Sequence, residues 1–422
     1  MTYSEKTLDL LLKGQIQAAE KEFFWALRKD EPEMLFSLAE ELYSLGFSNM
    51  AKRVYTKLLE QFPTEDELKT VLAEIAISEG KDDEALNYLK QVTPTSNAYL
   101  EALLVLADLY QTQGLFEISE QKLLQAYRLA PDEAVIWFAL GELYFSLKQY
   151  RQASEFYLKL IKADILEYAK VNILQRLGVS YAASGEFEQA RQYLEQIPLP
   201  QLDADTLFQL AFTQLQLKDY EHAIQNFEEL KEMTADYATL YPYLGVAYEQ
   251  NGQLNDALVT FQEGISVDSY NVELYQMAGR VAAKLGQNEQ AQKYWHKGLE
   301  LEPENLTLLL ELSNLLDALK LDEENLALLE EYLSQEQSDP QLYWNRGKAL
   351  VRLDRYDEAI EDYQAVLKQL DESVDFLHDA TLFFRNVGLR EEALYCVQKY
   401  LQQVNDDFEM EQLFTELNSE LY

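Results

Sequence analysis

Few side chains in this sequence have both the type and the spacing to do covalent or proton-transfer chemistry. The three histidines, His222, His296 and His378, stand far apart, with no H-E-x-x-H pair to hold a metal and no G-x-S-x-G turn to raise a nucleophile. The one cysteine, Cys396, has no second thiol with which to form a disulfide or a redox pair. Adjacent carboxylates such as Asp82–Asp83 and Glu323–Glu324 fall where helices begin, and there the helix dipole favours negative charge without any acid–base role. No loop has the D-x-[DN]-x-[DN]-G spacing for calcium. The sequence therefore implies no catalytic residue, metal or cofactor, and what remains is the chemistry of recognition.

The elements that position those recognition residues are legible as a repeat. The small residues Ala51, Ala85, Ser119 and Ala153, then Ala190, Ala223, Ala257, Ala291, Asn325, Ala359 and Ala393 recur every 34 residues except across Ala153–Ala190–Ala223. A fixed period of this length marks stacked supersecondary units. Within a unit, positions 4, 7, 8 and 11 are apolar or small, which at helical spacing places them on one face of a first helix. Positions 20, 24 and 27 do the same for a second helix that returns antiparallel. Gly, Ala or Ser recurs at positions 8 and 20 because a larger residue would hold the two backbones apart. All 15 glycines belong to this pattern: eight close the first helix at position 15, five occupy position 8, and Gly264 and Gly298 occupy position 27, so none is left for a phosphate-binding loop. Pro63, Pro131 and Pro303 end units at position 32.

The eighth unit carries the pattern most fully, as Tyr241, Leu244, Gly245, Tyr248, Gly252, Ala257, Phe261 and Gly264. These residues resemble the tetratricopeptide repeat, whose W-x2-L-G-x2-Y stretch is followed by Ala, an aromatic residue and a second small residue. The resemblance covers nearly the whole chain and implies an all-α solenoid, a right-handed superhelix of about 12 helix pairs. The units are 1–31, 32–65, 66–99, 100–133, 134–170 and 171–203, then 204–237, 238–271, 272–305, 306–339, 340–373 and 374–405. A linker near Ile197–Asp203 is expected to be irregular, and Asn325 makes the tenth unit atypical. Residues 406–422 place Met410, Leu413, Phe414, Leu417 and Leu421 at helical spacing, as a capping helix would.

In proteins of this kind, positions 2, 5, 9, 12 and 13 of the first helices line a concave groove that holds partner segments. Read along the chain, this stripe starts acidic, with Glu33, Glu40, Glu67, Glu74, Glu101, Asp108 and Glu142 and no Lys or Arg. It then turns apolar, with Phe138, Phe145, Val179, Phe208, Phe212 and Leu215. It ends basic, with Arg280, Lys284, Lys348, Arg352 and Arg385 around Asn314. The aromatic stretch reads as an exposed binding surface, or as core if neighbouring first helices close over it. The cations read as receivers of an acidic segment or C-terminal carboxylate, or as partners of Asp317 and Asp375. Asn314, Lys348 and Arg352 loosely resemble the Lys, Asn and Arg clamp of chaperone-tail-binding relatives, though they stand at other offsets.

With 35 Lys and Arg against 74 Asp and Glu, the chain carries −39, which disfavours nucleic acid and anionic lipid as partners. No apolar run approaches the ~20 residues that span a bilayer, the N-terminal stretch reads as an amphipathic helix, and one cysteine suits a reducing cytosol. The expected function is a cytoplasmic, non-enzymatic scaffold, similar to stand-alone many-repeat tetratricopeptide proteins of bacteria. It would bind a protein or peptide in the groove, and self-association is compatible with this. The alternatives are a peptide-signal sensor that acts by sequestering a partner and, further off, an enzyme using groove carboxylates. Replacing Ala257 by Leu overpacks the helix pair in this register and is expected to cost ~1–3 kcal/mol in denaturant unfolding; an unchanged curve would contradict the register.

Overall fold

The computed structural model describes residues 1–332 and 339–419, and the described chain forms 25 α-helices in two compact units, Met1–Leu202 and a second that starts at Asp203. In the first unit the helical hairpins are α1 (Tyr3–Leu12) with α2 (Ile16–Lys29), α3 (Pro32–Ser44) with α4 (Ser48–Gln61), and α5 (Asp66–Ser78) with α6 (Asp82–Leu89). They continue as α7 (Tyr99–Thr112) with α8 (Phe116–Leu129), α9 (Ala134–Ser146) with α10 (Tyr150–Lys162), and α11 (Ile173–Ala183) with α12 (Phe187–Leu194). The second unit pairs α13 (Ala204–Gln216) with α14 (Tyr220–Met233), α15 (Leu240–Gln250) with α16 (Leu254–Val267), and α17 (Val272–Lys284) with α18 (Asn288–Leu301). Then come α19 (Leu306–Leu319) with α20 (Asp322–Tyr332), α21 (Pro340–Arg352) with α22 (Tyr356–Val366), α23 (Val374–Asn386) with α24 (Arg390–Gln403), and α25 (Phe408–Ser419). Each unit is thus an α-solenoid of stacked hairpins.

What joins the helices of a hairpin is close approach at position 8. A Cβ added to Gly245 would stand 2.2 Å from the Phe261 ring, and one added to Gly279 would stand 2.3 Å from the Trp295 indole. The aromatic at position 24 therefore occupies the space that the missing side chain leaves. Ala257, Ala291 and the other small residues at position 20 are fully buried opposite it. Asn325 shows what this position demands: it too is fully buried, and both ends of its amide lack a hydrogen-bond partner among the described residues. In α25, Met410, Leu413 and Leu417 are buried and Phe414 packs beside them, while Leu421 lies outside the described residues.

Two features depart from the expected pattern. The extra residues between Ala153 and Ala190 lie in a β-hairpin, β1 (Glu167–Tyr168) with β2 (Val171–Asn172), and not in the linker near Ile197–Asp203, which holds only a single 3-10 turn, Leu199–Gln201. The hairpin's two turn residues, Ala169 and Lys170, both have positive φ, as a tight two-residue turn between twisted strands requires. The second feature is that position 15 is left-handed in every hairpin, not only in the eight that have glycine there. Lys148, Lys218, Lys320 and Asp354 adopt φ between 56° and 62° at the same place. Because a Cβ is disfavoured in that region, Lys148→Gly and Lys218→Gly are each expected to raise unfolding free energy by ~1 kcal/mol. A loss of stability in both would show that the turn does not impose this conformation.

Candidate functional site

In the first unit the first-helix aromatics are half-buried and already in contact. The Phe138 ring lies 4.8 Å from Tyr168 of the β-hairpin, an element the repeat pattern does not contain. Phe145 meets Tyr150 and Tyr157, and the Arg176 guanidinium sits 4.5 Å above its ring. Arg176 in turn makes a two-point pair with Glu142 at 3.0 and 3.1 Å, and Glu142 also accepts the Tyr157 hydroxyl at 2.6 Å. Glu142 thus leaves the acidic stripe as an internal ion pair. Val179 is half-buried on α11.

The rest of that acidic stripe makes no ion pair among the described residues. Glu33, Glu40, Glu67, Glu101 and Asp108 are exposed, and Glu74 is half-buried, accepting the Tyr43 hydroxyl at 3.4 Å. Burial and then the Glu101 charge raise the Glu74 carboxyl above the usual range, and Glu101, exposed overall but with its carboxyl partly shielded from water, is raised by that shielding and then by Glu67. Burial pushes the Tyr55 phenol up to about 12, helped by Glu40, Tyr43 and Glu74. Neighbouring carboxylates here repel one another without a cation between them.

In the second unit the sequence expectation of exposed aromatics needs correction. Phe208 is 8% exposed and Leu215 is 7% exposed. Phe208 is enclosed by Phe227, Tyr237 and Tyr243 at ring separations of 5.5 to 5.8 Å. The next first helix, α15, brings Tyr243 across α13, so Phe208 is core, and only Phe212 beside it stays half-buried, 5.2 Å from the Tyr243 ring. An open cavity of about 330 Å³ follows, lined by Leu215, Pro242, Tyr243, Val246 and Met277, with Glu273 and Lys218 at its margin.

The basic stripe is corrected in a second way, because its cations are not free. Glu249, whose side chain is 4% exposed, takes Lys284 at 2.7 Å and Arg280 at 3.1 Å. Burial works to raise the Glu249 carboxyl, but the Lys284 and Arg280 partners outweigh it and hold the group below its ordinary range. One repeat pair further on, Asp317 takes Lys348 and Arg352, and Arg352 also reaches Asp322 at 2.7 Å. In both clusters a carboxylate at position 12 receives cations 31 and 35 residues later, at positions 9 and 13 of the next unit. Stacking places those positions side by side, so the spacing itself is a signal that sequence reading can use. Asn314 accepts from Asn345 at 2.7 Å, and Arg385 lies 3.6 Å from Glu416 of the capping helix.

Between α21, α22 and α23 the same stacking leaves a larger cavity, about 730 Å³, with Ile360, Leu382, Phe383 and Tyr363 on its walls and Lys348, Arg352, Asp357 and Asp379 around them. Asp379 accepts Trp344 Nε1 at 2.7 Å and the Tyr363 hydroxyl through the same oxygen. Burial and then the Asp379 charge push the Tyr363 phenol far up. Elsewhere Cys396 is fully buried in α24, and burial and then Glu392 raise its thiol to about 12, outside the range of a working nucleophile. No helix among the described residues is long and apolar enough to cross a membrane.

Comparison with known proteins agrees with this architecture. Models of YpiA-like tetratricopeptide repeats match residues 111–165 and, for the C-terminal repeats, 340–407. General tetratricopeptide repeat models match 173–198, 204–237 and 277–341. The TPR repeat-containing protein YpiA of Bacillus subtilis (strain 168) is 35% identical over 382 residues, 90% of this chain and 90% of that one. BBSome complex member BBS4 of Bos taurus is 23% identical over 59% of this chain and 48% of its own length. Among solved structures, MamA is 24% identical over 40% of this chain and 92% of its own, with a TM-score of 0.38. YrrB, described as a TPR protein with an unusual peptide-binding site, is 18% identical over 44% and 95%, with a TM-score of 0.39.

The burial of Glu74, with the Glu101 charge beside it, has a pH signature. A carboxyl whose pKa is raised on folding penalises the folded state when ionised, and the penalty fades as pH falls through the folded and then the unfolded pKa. Glu74→Gln, which keeps an acceptor for Tyr43, is therefore expected to stabilise the chain at pH 7 by roughly 0.5 kcal/mol, the scale of a partly screened charge interaction. The gain should vanish below about pH 4; a gain that persisted there would assign it to packing.

Proposed function

The chain belongs to the tetratricopeptide repeat family alongside YpiA of Bacillus subtilis, and from that premise we propose that it is a scaffold that recruits a partner protein by holding one of its segments on the first-helix face. It carries no chemistry of its own in this reading, and it works in the cytosol. The observation that carries the proposal is the cavity lined by Leu215, Tyr243 and Met277. Leu207, Leu210 and Ala211 already complete the packing of α13 against its hairpin partner, being buried to 5% exposure or less. The cavity walls Tyr243, Val246 and Met277 are therefore apolar surface that the hairpin does not consume, on the face that in this family receives partners. Apolar surface retained on a chain of net charge −39 stands apart from solubility and points to contact.

The cation clusters have a different place in this reading from the one their sequence suggested. Arg280, Lys284, Lys348 and Arg352 fix neighbouring first helices to each other through Glu249 and Asp317, so an acidic ligand would have to compete with carboxylates that are already seated.

Phe212→Ser is the informative substitution. It is expected to cost no more than ~1–2 kcal/mol, since the ring is only half-buried, and to remove specific partners from a native extract as measured by quantitative mass spectrometry of co-purified proteins. An unchanged partner set, or a loss of ~3 kcal/mol or more, would contradict a binding role for this surface.

A further inference from the structure

The cavity between α21, α22 and α23 has a polarity that its two cations conceal. Lys348 is directed to Asp317, and Arg352 to Asp317 and Asp322, two positive charges against two negative ones. What is left facing the space is Asp357 and Asp379. Asp357 lies in the first turn of α22, is exposed, and has no hydrogen bond or ion pair among the described residues. Asp379 is held in place on one side only: Trp344 Nε1 and the Tyr363 hydroxyl both donate to its Oδ2. Its Oδ1 takes no hydrogen bond among the described residues. A carboxylate with one oxygen fixed and the other open is a prepared acceptor, and here it stands at the edge of an apolar floor. That floor includes Ile360, Leu382 and Phe383, the last stacked 4.4 Å from the Tyr363 ring.

We propose that this cavity seats a lysine or arginine side chain from a basic segment of a partner protein. The aliphatic stem of such a side chain covers the Ile360, Leu382 and Phe383 floor while its charged head reaches Asp379 Oδ1 and Asp357. Charge complementarity selects this occupant. The local balance is negative once the internal pairs are counted, and the whole chain carries −39, which favours the approach of a basic partner. An acidic segment would meet two unpaired carboxylates and no free cation. The inference rests on the first-helix face being the partner-binding face, and it adds the chemistry of the ligand.

The test uses the full chain and two blocked synthetic peptides of equal length, one alternating Leu with Lys and the other alternating Leu with Glu, titrated by calorimetry at physiological salt. The Lys peptide is expected to bind and the Glu peptide not to. Asp357→Asn and Asp379→Asn are each expected to weaken the Lys peptide about fivefold to tenfold, the range of one charge-assisted contact. The charge-matched control Glu289→Gln, exposed in the first turn of the second helix α18 and away from this cavity, should stay within twofold of wild type. Equal losses in the control, or binding of the Glu peptide, would overturn the proposal. So would spermine binding as tightly as the Lys peptide with the same variant dependence, because the occupant would then be a free amine. Should Asp379→Asn lower the melting temperature, the exposed Asp357→Asn decides alone. If Phe212→Ser still abolishes partner capture while the Lys peptide does not bind, this inference fails and the scaffold reading stands; if neither effect is seen, both fail.

Discussion

Everything in this chain depends on how closely two antiparallel helices approach within each hairpin. In the hairpins with glycine at position 8 the approach is so close that a single Cβ would collide with the side chain at position 24, 2.2 Å away at Gly245, and the other hairpins admit only a small residue such as Ala39, Ala73, Ala211 or Ser313 there. That contact sets the hairpin, the hairpin sets the period, and the period fixes which first-helix side chains remain outside the core. The binding surface is in this sense a by-product of packing, since whatever lies at positions that neither the hairpin nor the next hairpin covers is left to meet a partner. Position 15 obeys a second constraint of the same origin. The chain must reverse within a few residues, so it turns left-handed even where the sequence supplies Lys148, Lys218, Lys320 or Asp354 in place of glycine.

The stacked geometry also governs the electrostatics. Charges that look like a ligand-binding stripe in sequence become rungs between repeats, because position 12 of one first helix stands beside positions 9 and 13 of the next. Glu249 and Asp317 are buried or nearly so, and their charges hold the cations to the protein even where, as at Lys284, the side chain stays exposed. The acidic stripe of the first unit has no such partners among the described residues, and burial, with a neighbouring carboxylate second, holds Glu74 and Glu101 above the usual range. An acidic protein can thus hold a fully neutralised cluster in one region and an uncompensated one in another.

The helix pairs, their small-residue contacts and the capping role of Met410, Leu413 and Leu417 were legible in the sequence because each is a local rule repeated many times. The sequence alone does not decide between exposure and burial of Phe208, because its burial depends on Tyr243, 35 residues on, a pairing that the repeat allows without requiring. The β-hairpin at Glu167–Asn172 was invisible for the opposite reason: it occurs once, so no repetition announces it, although its turn residues impose a geometry that helical periodicity cannot supply. The sequence offers Asp317 as a partner of Lys348 and Arg352, but one repeat read alone does not display the 31- and 35-residue spacing that makes the pairing general, and Asp322 and Asp379 lie off the stripe altogether.

The claim at the centre of this account is that partners meet the first-helix face. Site-specific photo-crosslinking tests it most directly, with a photoreactive phenylalanine placed at Tyr243 or Leu382 on that face and at Val259 or Tyr270, which are 51% and 81% exposed elsewhere on the surface. Crosslinks to a co-purifying protein from Tyr243 or Leu382, and none from Val259 or Tyr270, is the result the account predicts. Crosslinks from Val259 or Tyr270 alone would contradict it.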